Sequence, residues 1–204
     1  MTDLILDHVS KRFGARTVLR NVCAEVRAGE ALVVTGHNGS GKSTLLTIIA
    51  GLLGADGGAV RVREEGRELE PEELRHRVSL VAPDLTLYPE LTALENLEFF
   101  ARVRGLPWSR AGGEALLERV GLAGRGPDLS GTFSSGMRVR LKYAVALQSD
   151  PSVLLLDEPT AMLDVGGARI VEEIIAEQRK RGLLVLATND PDETRHGDLF
   201  LHLG

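Results

Sequence analysis

Apolar residues return along the chain in short runs rich in valine, isoleucine and leucine: Leu4 to Val9, Ala31 to Thr35, Val78 to Ala82, Val153 to Leu156 and Leu183 to Ala187. Each run is the length of a strand. Those that do not alternate with polar residues, such as Leu154-Leu155-Leu156, suit strands covered on both faces. Helical patterns lie between several of them. The residues after Asp164 place Ile170, Val171, Ile174, Ile175 and Gln178 on one stripe, with Glu177 and Arg181 spaced to pair outside it and Gly182 as a left-handed stop. Strands alternating with helices predict an α/β domain built on a mainly parallel sheet.

The stretch from Leu85 to Arg125 has a different rhythm. It contains no strand-like run and predicts two or three helices. Thr92-Ala-Leu-Glu95 is a capping box, with Leu94, Leu97, Phe99 and Phe100 behind it. Pro107 separates that helix from the next, and glycines at 112, 113, 121, 124 and 126 punctuate the remainder of the stretch. This segment reads as a helical lobe inserted into the α/β core. No repeat at a fixed period and no low-complexity tract interrupts the pattern.

Two stretches carry recognisable chemistry. Gly36-His37-Asn38-Gly39-Ser40-Gly41-Lys42-Ser43 fits GxxxxGK[ST], comes directly after a strand and opens a helix through Leu45, Leu46, Ile48 and Ile49. Glycines let successive N–H groups turn toward phosphate oxygens at the positive end of a helix dipole. Lys42 adds a full charge for the β and γ phosphates, Ser43 a hydroxyl for Mg²⁺, and Thr44 a second hydroxyl nearby. The second stretch, Val153 to Leu156, ends in Asp157-Glu158, so two carboxylates fall at the carboxyl edge of the sheet. Asp157 suits Mg²⁺, largely through water, and Glu158 suits the base that orients or deprotonates an attacking water.

Composition narrows the classes. With 43% hydrophobic and 26% charged residues in 204, the chain is globular and fits one domain or one core with an inserted lobe. No run reaches the length of a membrane span, and the start MTDLILDHVS lacks the basic segment and apolar core of a secretion signal, so a cytoplasmic location is expected. A net charge of -5 offers no general attraction to nucleic acid or anionic lipid, so any membrane association requires a protein partner. Cys23 is the only cysteine, read as a small buried strand residue, and excludes an intrachain disulfide. The five histidines show no metal-site spacing.

Asp157-Glu-Pro-Thr-Ala-Met-Leu-Asp164 resembles the nucleotide-binding domain of ABC transporters, and the likeness covers essentially the whole chain. The resemblance implies a single domain over 1–204: a P-loop NTPase core of about 1–84 and 150–204, with an antiparallel β subdomain near the N-terminus, and a helical lobe of about 85–149. It implies that Phe13 stacks on adenine, with a core phenylalanine as the alternative. Phe133-Ser134-Ser135-Gly136-Met137 matches the signature loop, departing from its commonest form but keeping Ser134 and Gly136. A serine hydroxyl and N–H groups at a helix start suit the γ phosphate of a nucleotide held by another chain. The implied assembly is therefore a head-to-tail dimer, a homodimer in the simplest case, with two ATP molecules between its subunits and transmembrane permease subunits as partners at the inner face of the cell membrane. Asp164 matches a residue that contacts the other subunit, and equally suits a helix N-cap. Leu85, Leu87 and Tyr88 lie where the lobe would receive the permease.

Two positions depart from the family pattern. Val81-Ala-Pro83-Asp84 lacks the usual glutamine near the metal and water, leaving Asp84 as a candidate to reach Mg²⁺. The usual switch histidine is replaced in Thr188-Asn189-Asp190. Asn189 donates an amide hydrogen bond but carries no charge, so slower hydrolysis is expected rather than its abolition. Thr132 to Arg138 and Glu90 to Leu97 look like the haem-exporter ATPases of cytochrome c maturation, although drug, polysaccharide and lipid exporters share much of the pattern. An ATP-dependent dimerising regulatory module with little hydrolysis is the alternative from a different class. A soluble member acting on ribosomes or DNA does not suit a single acidic cassette.

Overall fold

A computed structural model describes residues Met1–Gly204. The strands are β1 (Thr2–Phe13), β2 (Arg16–Arg27), β3 (Ala31–Thr35), β4 (Gly57–Glu64), β5 (Arg67–Glu68), β6 (Val78–Val81), β7 (Val153–Asp157), β8 (Leu183–Ala187) and β9 (Leu199–His202). The helices are α1 (Lys42–Ile49), α2 (Pro71–Arg77), α3 (Ala93–Val103), α4 (Arg110–Arg119), α5 (Ser135–Leu147), α6 (Val165–Arg181) and α7 (Pro191–Thr194). The chain divides into two compact units. One comprises Met1–Ala82, Ser152–Pro159 and Ile175–Gly204; the other comprises Pro83–Pro151 and Thr160–Ile174.

The first unit holds both sheets. The parallel sheet runs β6-β7-β8-β3-β9, and the antiparallel sheet runs β2-β1-β4-β5. The runs predicted as two-sided strands behave so: every residue of β7 and β8 is buried. In the antiparallel sheet burial alternates, with Leu4 and Leu6 of β1 inward and Asp3, Ile5 and Asp7 less covered. Leu4, Val26, Leu32, Leu45, Leu155 and Val185 belong to one apolar cluster that joins strands of both sheets to α1.

The β1–β2 pair explains why β2 is not evident in the sequence. Its register shifts between Leu6 and Val9, between Val9 and Lys11, and between Lys11 and Arg12. His8 and Asn21 take left-handed backbone conformations, φ 52° and 54°, within that pair. Each irregularity resets the period-2 pattern, so β2 shows no clean alternation in sequence. Cys23, on β2, is exposed rather than buried; it faces outward, with its Sγ 3.4 Å from His8 Nδ1. Gly182 is also corrected. Its φ is not positive, and its lack of a side chain serves close packing instead, because a Cβ there would stand 2.3 Å from the Ser152 carbonyl oxygen.

The second unit is helical. Thr92 caps α3 with its side chain accepting from Glu95 N–H while the Glu95 carboxylate accepts from Thr92 N–H, completing the capping box. Asn96, fully buried, is the polar hub of this unit. Its amide donates to the carbonyls of Tyr88, Leu91 and Thr92 and accepts from Tyr88 N–H at 2.8 Å. The segment before α3 is fixed in this way without secondary structure of its own. Tyr88 packs edge-on against Phe99, with centroids 4.6 Å apart. Leu87 is buried, which removes it as a surface contact; Tyr88 is exposed and Leu85 half-buried. No helix is long and apolar enough to cross a membrane.

Candidate nucleotide site

Strand order builds the site. β3 lies beside β8, and β8 beside β7, all parallel. The segments leaving their carboxyl ends therefore stand in a row at one edge of the sheet: the loop Gly36–Gly41, then Thr188-Asn189, then Asp157-Glu158. Ligand sites in parallel sheets form at such edges.

The loop is held by its own backbone, with Ser40 N–H donating to the His37 carbonyl at 3.0 Å, and it runs into α1 at Lys42. Gly41 has φ 107°, and a Cβ on it would lie 2.8 Å from Val18 Cγ1. Only glycine lets the backbone turn there while packed against β2. His37, Asn38, Gly39 and Ser43 are exposed along the loop, Gly36 and Ser40 are buried, and Thr44 is half-buried.

Lys42 is 7% exposed. Its ammonium donates to the Gly36 carbonyl at 2.7 Å, to Asn189 Oδ1 at 3.1 Å and to the His37 carbonyl at 3.5 Å. These are three neutral hydrogen-bond acceptors, and the Glu158 carboxyl lies near enough to feel its charge. A buried cation hydrogen-bonded to neutral carbonyl oxygens suits a phosphate group. The donor set for a hard cation is also present, as oxygen ligands from the Ser43 hydroxyl and the buried Asp157 carboxylate.

Glu158 comes next with a left-handed backbone, φ 50°, uncommon for a residue with a side chain. Its N–H donates to the Ala187 carbonyl at 2.8 Å, which ties the turn to the end of β8. Burial pushes its carboxyl pKa up, and the nearby charges of Glu193 and Asp157 push the same way. Lys42 and the backbone N–H of Asn189 oppose them. The carboxyl group is thus held closer to neutral pH than an ordinary glutamate, as a proton acceptor for water requires.

The sequence marks Asn189 as a donor to phosphate or water. In the structure its side chain bridges the site, with Oδ1 on Lys42 and Nδ2 donating to Asn38 Oδ1 at 2.8 Å. Nothing in the sequence indicates that bridge to two loop residues. Another such contact comes from β2, where Arg16 donates to the Gly39 carbonyl at 3.0 Å. Neither residue type nor spacing signals it, because it depends on how the β1–β2 hairpin lies against the loop. Phe13, at the end of β1, is 51% exposed and so is not a core residue; Lys11 Nζ sits 5.7 Å from its ring centroid.

The remaining candidates lie in the helical unit. Ser134 is the N-cap of α5, its hydroxyl accepting from Met137 N–H at 3.2 Å, with Ser135 and Gly136 forming the first turn. Asp164 caps α6 through a 2.7 Å bond from Gly167 N–H, as its N-cap reading requires. Asp84 is exposed and adds an attractive charge near Lys142, whose pKa burial lowers.

The ABC transporter family model matches residues 19–161. Among curated relatives, the linearmycin resistance ATP-binding protein LnrL of Bacillus subtilis is 32% identical over 185 residues, 90% of this chain and 60% of that protein. The cytochrome c biogenesis ATP-binding export protein CcmA of Rhizobium meliloti is 37% identical over 195 residues, 92% of this chain and 91% of that protein. The chain spans 56% of YdbJ, an ABC transporter ATP-binding protein of Bacillus subtilis. Several curated relatives are therefore substantially longer. A solved ATP-binding subunit of an ABC transporter superposes with a TM-score of 0.85 at 31% identity, covering 98% of this chain and 85% of that one. A dimeric ATP-binding cassette bound to ADP and Pi gives 0.85 at 27% identity, with 98% and 94% covered. The matched family model and these relatives show that the chain belongs to the ABC transporter ATP-binding family.

Proposed function

We propose that the chain binds ATP with Mg²⁺ in the loop 36–43 and hydrolyses it, as the ATP-binding subunit of an ABC exporter with separate membrane subunits. The carrying observation is the row of groups at one sheet edge, in which a buried Lys42, hydrogen-bonded to neutral acceptors, stands beside Asn189 and the Asp157-Glu158 pair. Lys42 would exchange its carbonyl partners for phosphate oxygens. Ser43 and Asp157 would hold Mg²⁺, which supplies positive charge to the phosphate oxygens when bound. Glu158, its pKa raised by burial, would accept a proton from the attacking water, and Asn189 would donate an uncharged hydrogen bond near it. Phe13 would stack on the base. Ser134 and Gly136, at the start of α5, would serve the nucleotide of a second cassette, a homodimer in the simplest case.

Haem export in cytochrome c maturation is the first substrate class to test, because the match to CcmA covers nearly all of both chains. The relatives also include drug-resistance and lantibiotic transport proteins, so other exporters of small molecules, lipids or polysaccharides remain the neighbouring reading. The uncharged Asn189, already engaged with Lys42, favours a second reading, an ATP-dependent dimerising module with little hydrolysis. Steady-state phosphate release from ATP with Mg²⁺ separates the two. Slow turnover that rises about tenfold in Asn189→His, which restores a chargeable donor, supports the exporter ATPase. ATP binding with no turnover in either protein supports the module.

A further inference from the structure

Phe13 and Arg16 are paired directly across the tip of the β1–β2 hairpin. Directly opposite residues of an antiparallel pair project from the same face. The two sides of the tip are anchored differently. On the β1 side, Lys11 reaches the Gly54 carbonyl at 2.6 Å and Asp56 at 3.0 Å, while Arg12 N–H donates to Asp56 Oδ2 at 2.7 Å. On the β2 side, Arg16 Nη2 donates to the Gly39 carbonyl at the tip, and further along the strand Val18 and Leu19 pack against Gly41. The residues between them, Gly14 and Ala15, are exposed, and Gly14 has φ 59°.

We propose that Arg16 is a positioning residue that sets the distance between the Phe13 ring and the phosphate loop, so that base stacking and phosphate binding act on one rigid template. The inference rests on the reading of Phe13 as the base platform and of 36–43 as the phosphate cradle. The guanidinium bound to Gly39 O ties the hairpin tip to the backbone of the loop, and it engages none of the loop N–H groups. A charge-assisted bond is stronger and better directed than a neutral one, which suits a strut at an exposed site. Without it the hairpin tip keeps its β1-side anchors but loses its fixed place against the loop, and ordering the tip on binding offsets the stacking contribution.

The test uses the full chain and two probes, a fluorescent ATP analogue and inorganic tripolyphosphate, which has no base. Arg16→Ala is expected to weaken the ATP analogue about tenfold, the scale of one base–aromatic stack, while tripolyphosphate affinity changes less than about twofold. Arg16→Lys, which keeps one charged donor, recovers part of the loss. Phe13→Ala combined with Arg16→Ala loses no more than Phe13→Ala alone. A parallel fall for tripolyphosphate, or additive losses in the double variant, overturns the proposal, since Arg16 would then act on the phosphates or the loop itself. Wild-type chain that binds neither probe, or binds both equally well after Lys42→Ala, fails the nucleotide reading instead and is distinguishable from either result. Thermal melting of each variant identifies loss of fold, and Arg16→Gln, which keeps a neutral donor, repeats the probe comparison if Arg16→Ala is unfolded.

Discussion

The two sheets of the first unit solve different problems. In the parallel sheet, β7 and β8 are buried along their whole length, and the groups that matter begin where those strands stop. The antiparallel sheet has one covered face, a bulged register and a hairpin whose tip stands in solvent. The parallel sheet fixes Lys42, Asp157, Glu158 and Asn189 relative to one another through neighbouring buried strands. The antiparallel sheet presents Phe13 at the last ladder pair of a hairpin whose tip is tied to the rest of the chain mainly through side chains. On the proposed function, phosphate chemistry would sit on the rigid element and base recognition on the adjustable one, a division that would leave room to vary nucleotide preference without disturbing hydrolysis.

The largest expected difference between the sheets is in stability. Leu155→Ala, at a fully buried position of β7, should destabilise the chain by about 2–5 kcal/mol, whereas Val60→Ala, half-buried on β4, should cost under about 1.5 kcal/mol. Equal losses in denaturant unfolding would erase the distinction. Next, Lys42→Ala should lower ATP affinity about 30-fold or more by removing a buried cation, with little change in the melting temperature of the ligand-free chain, because its present partners are neutral carbonyl groups. The smallest effect concerns pH. A base works in its ionised form, so the raised pKa of Glu158 moves the acid limb of phosphate release above the ordinary glutamate value of 4.5. Asn189→His should add a second limb as its imidazole titrates, about 6.5 for an unperturbed histidine.

Sequence legibility divides in the same way. Parallel strands buried on both faces leave unbroken apolar runs, and four of the five runs read from the sequence are the parallel strands β3, β6, β7 and β8, while the fifth lies in the antiparallel β1. The phosphate loop is readable because its chemistry demands particular residues in a fixed order. The capping box at Thr92 is local and equally plain. β2 is hidden because bulges at His8 and Asn21 break the alternation that marks a strand. β9 is hidden by its brevity, four residues with an exposed Phe200 in the middle. The expectation of a buried Cys23 fails for the same reason as β2, since a slip in register exchanges the faces of a strand. The contacts of Asn189 to Lys42 and of Arg16 to Gly39 span long stretches of sequence, and only the folded arrangement brings them together.

The central claim is that the row of groups at the parallel sheet edge hydrolyses ATP with Glu158 as the base. Its most direct test is the paired measurement of ATP affinity and Mg²⁺-dependent phosphate release for the wild-type chain and Glu158→Gln. The account predicts affinity unchanged within about twofold and turnover lowered about 10²- to 10³-fold or more. Turnover that survives the substitution at its wild-type rate would contradict it.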